Sequence, residues 1–156
     1  MRAGTENVAG LAGFGAAAEA VRQGAAEEAA QMAALRDKLE AGIRAVAPQA
    51  VIFGAESARL SNTTLFSVPG MKAETAVIAF DLEGVAVSSG SACSSGKVSP
   101  SHVLAAMGVP EALAKGAIRV SLGYATSDGD VGMILKAWEK LAERLYKAGN
   151  KQEIAA

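Results

Sequence analysis

Cys93 is the single cysteine of the 156-residue chain, and it lies in a run of small residues from Ser88 to Lys97. A deprotonated thiol is a soft nucleophile that can carry a product covalently. A lone cysteine more commonly packs as a small buried hydrophobe. Here the surrounding Gly and Ser residues offer no packing partners. This context therefore favours an exposed thiol on a mobile loop over a structural one.

Two charged or titratable side chains lie close enough in sequence to influence that thiol. Lys97 and His102 would both favour the thiolate if they approach Cys93 in space. A Cys–His catalytic pair requires such a contact. The alternative for His102 is a partly exposed structural histidine in the first turn of a helix.

Arg119 lies inside the strand-like segment Ala117–Gly123. Neighbours in a strand point to opposite faces, so Arg119 points away from Ile118 and Val120. Two interpretations remain open for this side chain. It is either a surface residue on an edge strand or a guanidinium positioned to bind a carboxylate through two parallel hydrogen bonds.

The elements that must position these side chains follow from the spacing of apolar residues. Thr5 is predicted to cap a first helix, and a second helix spans Ala25–Ala47 with an apolar face of Met32, Leu35, Leu39, Ile43 and Val46. Further helices are predicted at 74–82, at 99–107, and from Ser127 onward, where Asp130 completes a capping box. The last helix presents Val131, Ile134, Leu135, Trp138, Leu141 and Leu145 to a core.

Short segments rich in β-forming residues alternate with these helices. Strands are predicted at 50–53, 63–68, 85–87 and 117–121. The fold class is therefore α/β, a small sheet covered by helices. We expect one compact unit over 25–148, a connecting helix over 1–24, a mobile Cys loop over 88–98, and a frayed tail over 149–156.

Composition excludes several classes of protein. Net charge is −1 and aromatics are only 4%, which argues against nucleic-acid binding. One cysteine forms no internal disulfide and no cysteine-rich metal site, so no metal is expected. No run approaches the roughly 20 apolar residues of a membrane span, and no signal peptide is recognisable. A cytoplasmic location with no membrane partner is the expectation.

Four segments together resemble the cysteine desulfurases of the nitrogen-fixation and iron–sulfur-assembly type. They are Arg2–Asn7 (RAGTEN), Ser88–Gly96 (SSGSACSSG), Ser99–Leu104 (SPSHVL) and Ile118–Gly123 (IRVSLG). The resemblance runs from Arg2 to about Leu145. The family consists of homodimeric pyridoxal-phosphate enzymes of the aspartate-aminotransferase fold, and this chain resembles the small C-terminal domain.

The resemblance implies a role for three residues. Cys93 would attack the sulfur of L-cysteine bound to the cofactor, leaving a persulfide on Cys93 and releasing alanine. Arg119 would hold the substrate carboxylate, and Thr5 would donate its hydroxyl to the phosphate of pyridoxal phosphate across the dimer interface. The persulfide would then pass to an acceptor, typically the scaffold protein for iron–sulfur clusters. Such chemistry needs an electron sink, which no side chain supplies.

The sequence also departs from the family pattern. The family's cofactor-binding lysine lies upstream of the RAGTEN segment, and none of the eight lysines here has a matching context. We therefore expect the large cofactor domain to be absent and the chain to be inactive alone. Three explanations stay open: a truncated or split gene product, a partial sequence, or a non-catalytic module that accepts persulfide on Cys93.

Overall fold

The computed structural model describes residues 4, 6–89 and 101–153, with backbone alone for 147–153. Five helices and four strands follow one another in this part of the chain. They are α1 (Val8–Val46), β1 (Val51–Ile52), β2 (Thr63–Ser67), α2 (Ala73–Leu82), β3 (Ser88–Ser89), α3 (His102–Ala106), α4 (Glu111–Ala114), β4 (Ile118–Ser121) and α5 (Asp128–Glu153).

The four strands form one antiparallel sheet in the order β1-β2-β4-β3. Its centre is the β2–β4 ladder, in which Thr63 pairs with Ser121 and Leu65 with Arg119. On the other side of β4, Ser88 pairs with Arg119. The predicted class, a small sheet covered by helices, is confirmed.

The sheet has one face that is fully covered and one that is covered in part. Buried side chains of α1, α2 and α5 pack with Phe66, Ile118 and Val120 to form the main core. Because side chains alternate along a strand, Leu65 and Ala117 point to the opposite face. There they join Phe53, Leu104 and Ala114 in a second, smaller cluster beneath α3 and α4.

Helix α1 runs unbroken for 39 residues, so the expectation of two helices was wrong. An internal glycine such as Gly24 costs about 1 kcal/mol, which a long packed helix tolerates. The helix is capped by Asn7, whose Oδ1 accepts a hydrogen bond from the Gly10 amide at 3.0 Å. The cap is thus Asn7 and not Thr5. A Cβ on Gly10 would lie 2.6 Å from the Asn7 side chain, so glycine permits this cap.

Three other boundaries differ from those predicted, because long-range strand pairing and local helix capping determine them. The third strand lies at Ser88–Ser89, where it pairs with β4, and not at 85–87. Residues 88 and 89 therefore belong to the sheet and not to the loop predicted over 88–98. Helix α3 is capped by Ser101, whose Oγ accepts from the Leu104 amide at 3.4 Å, and not by Ser99. The four-residue α4, which follows Pro110, was not predicted.

The last helix begins as the sequence predicts. The Ser127 amide donates to Asp130 Oδ2 at 2.8 Å, and the Asp130 amide donates back to Ser127 Oγ at 3.4 Å. Hydrogen bonds from Ser127 hold the pKa of the Asp130 carboxyl below its ordinary value. Helical backbone continues to Glu153, past the start of the predicted tail, and fraying there stays a prediction.

Trp138 joins α5 to both the sheet and α1. Its ring meets Phe66 edge-on, with centroids 5.3 Å apart at 80°. Its Nε1–H donates to the Ile43 carbonyl at 3.2 Å. One turn away, a Cβ on Gly42 would lie 2.5 Å from a Leu135 methyl group. Glycine at position 42 therefore lets α1 and α5 pack in close contact beneath the sheet.

Candidate functional site

Arg119 lies on β4 with its side chain exposed, between the buried residues Ile118 and Val120. Because β2 and β3 flank β4 on its two sides, β4 is an interior strand of the sheet. The interpretation of Arg119 as a surface residue on an edge strand was therefore wrong in one respect: the residue is exposed, but its strand is not at the edge of the sheet. What remains is a long cationic side chain in the middle of a sheet, on its incompletely covered face.

The neighbours of Arg119 on that face differ from side to side. Leu65, opposite on β2, and Ala117, two residues earlier, belong to the apolar cluster under α3 and α4. Ser88, opposite on β3, and Ser121, two residues later, are both exposed hydroxyl groups. Arg119 thus has an apolar wall on one side and hydroxyl groups on the other.

No acidic residue neutralises this guanidinium in the part of the chain that the structure describes. Three other arginines form ion pairs: Arg22 with Glu19, Arg36 with Asp37, and Arg59 with Glu40. Among the side chains of residues 6–89 and 101–146, the Arg119 side chain has no hydrogen bond or ion pair. A planar cation with free donors on an open face suits a carboxylate ligand that arrives from outside.

The remaining predicted site residues lie outside the described residues or apart from Arg119. Thr5, Cys93 and Lys97 are outside the described residues, so their roles stay predictions. His102 is described: it is the first residue of α3, and its side chain is exposed. A contact between Cys93 and His102 likewise stays a prediction.

The described lysines do not fit a covalent site for pyridoxal phosphate. A lysine that forms such an imine is shielded from water, which lowers its pKa and frees the amine. All five lysines with described side chains are exposed. Three of them form surface ion pairs: Lys38 with Asp128, Lys115 with Glu111, and Lys140 with Glu83. The five lysines with described side chains therefore lack the shielded environment that such an imine requires.

Among the side chains the structure describes, no group of three or more His, Cys, Asp or Glu is arranged to hold a metal ion. None of the described helices combines the length and apolarity needed to cross a membrane.

The antiparallel sheet, with α1, α2 and α5 on one face and α3 and α4 partly covering the other, belongs to a known architecture. Residues 1–134 match the family model described as aminotransferase class-V, so the chain belongs to the class-V aminotransferase family. Its relatives within that family carry one activity in their names. It is 40% identical over 154 residues to cysteine desulfurase NifS of Azotobacter vinelandii and 37% identical over 145 residues to cysteine desulfurase IscS of Clostridium botulinum.

Solved structures agree with these relatives. The chain superposes on the crystal structure of a NifS-like protein from Rickettsia africae with a TM-score of 0.78 and 36% identity. That match covers 94% of this chain and 36% of the other. The two relatives named above are matched over 96% and 92% of this chain, but over only 38% and 36% of their own lengths. The chain therefore spans little more than a third of the proteins it resembles.

Proposed function

We propose that this chain is the part of a cysteine desulfurase that binds the substrate carboxylate and accepts the sulfur. L-Cysteine and the Cys93 thiol react to give L-alanine and a persulfide on Cys93. The substrate C–S bond breaks, an S–S bond to Cys93 forms, and the electron pair left on carbon takes up a proton. Atoms and electrons balance without an external oxidant or reductant.

The observation that carries the proposal is the position of Arg119. It offers free guanidinium donors on the open face of the sheet, and no described side chain competes for them. Ser88, opposite Arg119, lies five residues before Cys93 in sequence. A carboxylate held by Arg119 would therefore be bound close to where the segment bearing the thiol leaves the sheet.

The electron sink for this reaction is pyridoxal phosphate, which supplies what side chains cannot. Since the described lysines are unsuited to hold it, we place its covalent site in the portion of the relatives that this chain does not match. Thr5 is proposed to donate its hydroxyl to the phosphate, across the interface of a homodimer. The acceptor of the persulfide is proposed to be an iron–sulfur scaffold protein in the cytoplasm.

The test joins these 156 residues to the unmatched portion of the Azotobacter vinelandii relative and supplies L-cysteine. We expect alanine and reducible sulfane sulfur in equal amounts, with none from the Cys93→Ser variant. Arg119→Lys should lower kcat/KM about 100-fold, since a two-pronged bond to a charged group contributes roughly 2–3 kcal/mol. Full activity in the Cys93→Ser variant would contradict the proposal.

A control with the 156-residue chain alone separates this function from the sulfur-relay alternative. With pyridoxal phosphate we expect no borohydride-reducible adduct on any lysine and no alanine. If the joined protein is also inactive while the chain alone accepts sulfur from cysteine persulfide at Cys93, the chain is a relay module and not part of a desulfurase.

A further inference from the structure

Ser88 and Arg119 face each other across the β3–β4 ladder as a registered pair. Opposed residues of an antiparallel ladder project to the same face, with Cβ atoms about 4.5–5.5 Å apart. Both side chains are exposed, and neither has a hydrogen-bond partner among the residues the structure describes. Ser88 and Arg119 therefore project from neighbouring positions on the same, open face of the sheet.

The apolar side of this pair restricts where a ligand can lie. Leu65 and Ala117 flank Arg119 and are part of the cluster packed under α3 and α4. A carboxylate placed over them would lose its hydration without gaining a hydrogen bond, which is costly. A ligand on Arg119 is therefore directed away from that cluster, toward β3 and Ser88.

An ionised carboxylate has about four acceptor positions on its two oxygens. A guanidinium approaching edge-on occupies two of them. The positions that remain need other donors or water. Ser88, directly opposite Arg119 on β3, carries a hydroxyl that can donate one such hydrogen bond.

We propose that Ser88 is a second ligand of the substrate carboxylate, acting beside Arg119 at the point where the chain leads into the Cys93 segment. This inference rests on the proposed function, because it assumes that Arg119 binds the substrate carboxylate. It adds a specificity-determining residue in a segment that the sequence alone places in a loop.

Ser121 provides the contrast. It carries the same hydroxyl and the same exposure, but it lies in the next row of the ladder, opposite Thr63. The Thr63 hydroxyl already donates to Asn62 Oδ1 at 3.0 Å. Ser121 is therefore one row away from the pair, while Ser88 is directly opposite Arg119, which makes Ser121→Ala a matched control.

The experiment follows the Arg119 Nε–Hε signal in the isotope-labelled 156-residue chain while L-alanine is added. Ethylamine, which is L-alanine without its carboxylate, serves as the negative probe. We expect Ser88→Ala to weaken L-alanine binding about three- to tenfold, the effect of losing one hydrogen bond. Ser88→Thr should restore binding, and Ser121→Ala should match the parent chain.

The outcomes separate this inference from the proposed function. If Arg119→Lys abolishes the response to L-alanine while Ser88→Ala binds as the parent does, the role of Ser88 is overturned and that of Arg119 stands. If the parent chain responds equally to L-alanine and ethylamine, neither residue binds the carboxylate and both proposals fail.

Discussion

Glu40 of α1 and Arg59 of the segment before β2 form a two-pronged ion pair, with N–O distances of 2.6 and 2.7 Å. The Glu40 side chain is only 6% exposed. The Thr64 hydroxyl donates to the same carboxylate at 2.7 Å. This cluster fastens α1 to the sheet strand next to the one that carries Arg119.

The ion pair predicts acid sensitivity of the fold. Burial raises the pKa of Glu40, but hydrogen bonds from Arg59 and Thr64 and the charges of Arg59 and Arg36 outweigh it and hold the pKa below its ordinary value. Because the folded-state pKa is the lower one, the stabilisation is complete above about pH 4.3 and is lost as pH falls through the folded pKa. Urea unfolding from pH 7 to pH 3 should show this loss, and Glu40→Gln should flatten it.

Removing one partner of this pair should destabilise the protein strongly. Arg59→Met leaves Glu40 buried and unpaired, which typically costs about 3–5 kcal/mol. Lys38→Met, which removes a surface ion pair to Asp128, is the matched control and should change the free energy of unfolding little. Equal effects of the two variants in urea unfolding would show that Glu40 is not held as the structure indicates.

The ring and the N–H of Trp138 should each contribute separately to the free energy of unfolding. Trp138→Phe removes the hydrogen bond to the Ile43 carbonyl but keeps an aromatic ring against Phe66, so we expect a loss of about 1–2 kcal/mol. Trp138→Ala removes both and leaves a cavity, with an expected loss of about 3–5 kcal/mol. Thermal unfolding of both variants measures the difference, and similar losses would contradict the assignment.

Gly116 is required where the turn before β4 passes the backbone of Met71. A Cβ there would lie 2.5 Å from the Met71 carbonyl oxygen and 2.8 Å from Ser67 Oγ. Gly116→Ala should therefore destabilise the fold by about 1–3 kcal/mol through overpacking. Gly123→Ala, where nothing lies within 4 Å of the added carbon, is the control and should be tolerated in the same denaturation experiment.

The first half of α1 carries a row of large apolar side chains in solvent. Val8, Leu11, Phe14 and Val21 are each at least 61% exposed. Uncovered apolar surface of this kind promotes association. We expect the 156-residue chain to self-associate or bind a hydrophobic dye, and Leu11→Glu with Phe14→Glu to suppress both. Light scattering that shows a dye-free monomer for the unmodified chain would count against this.

The thiol prediction can be checked directly, because Cys93 is the only cysteine. We expect iodoacetamide to alkylate the native protein at a rate close to that of the urea-unfolded chain. The basis of this expectation is the sequence around Cys93, whose Ser, Gly and Ala residues are too small to pack over a thiol. Mass spectrometry over time gives both rates, and native labelling as slow as for a core thiol would refute an accessible Cys93.

Sequence periodicity predicted those parts of the fold that depend on local pattern. Leu35, Leu39 and Ile43 are buried as the 3.6-residue spacing requires, and the Ser127–Asp130 cap forms. The continuity of the helix across Gly24 was not predicted, because it depends on the whole of α1 and not on the helix propensity of one residue. A charged Glu40 beside that apolar stripe was the available signal for a buried ion pair, although its partner 19 residues away was not evident.

The sequence allowed the residue types of the candidate site to be predicted, but not the positions of those residues relative to one another. Arg119 could be identified from its position among β-forming residues, whereas the strands on either side of it come from distant parts of the chain. Pairing of Ser88 with Arg119 joins residues 31 positions apart, and no local pattern encodes that register. Cys93 and Thr5 remain predictions from the sequence and the family resemblance.

The unbroken α1 has a mechanical consequence. At 1.5 Å per residue its 39 residues make a rod about 58 Å long. Its C-terminal half is clamped beneath the sheet by Leu39, Ile43 and the Glu40 ion pair. The exposed N-terminal half continues without a break into the half that packs against the sheet, so a molecule bound near Val8 would contact the same helix that supports the strand bearing Arg119.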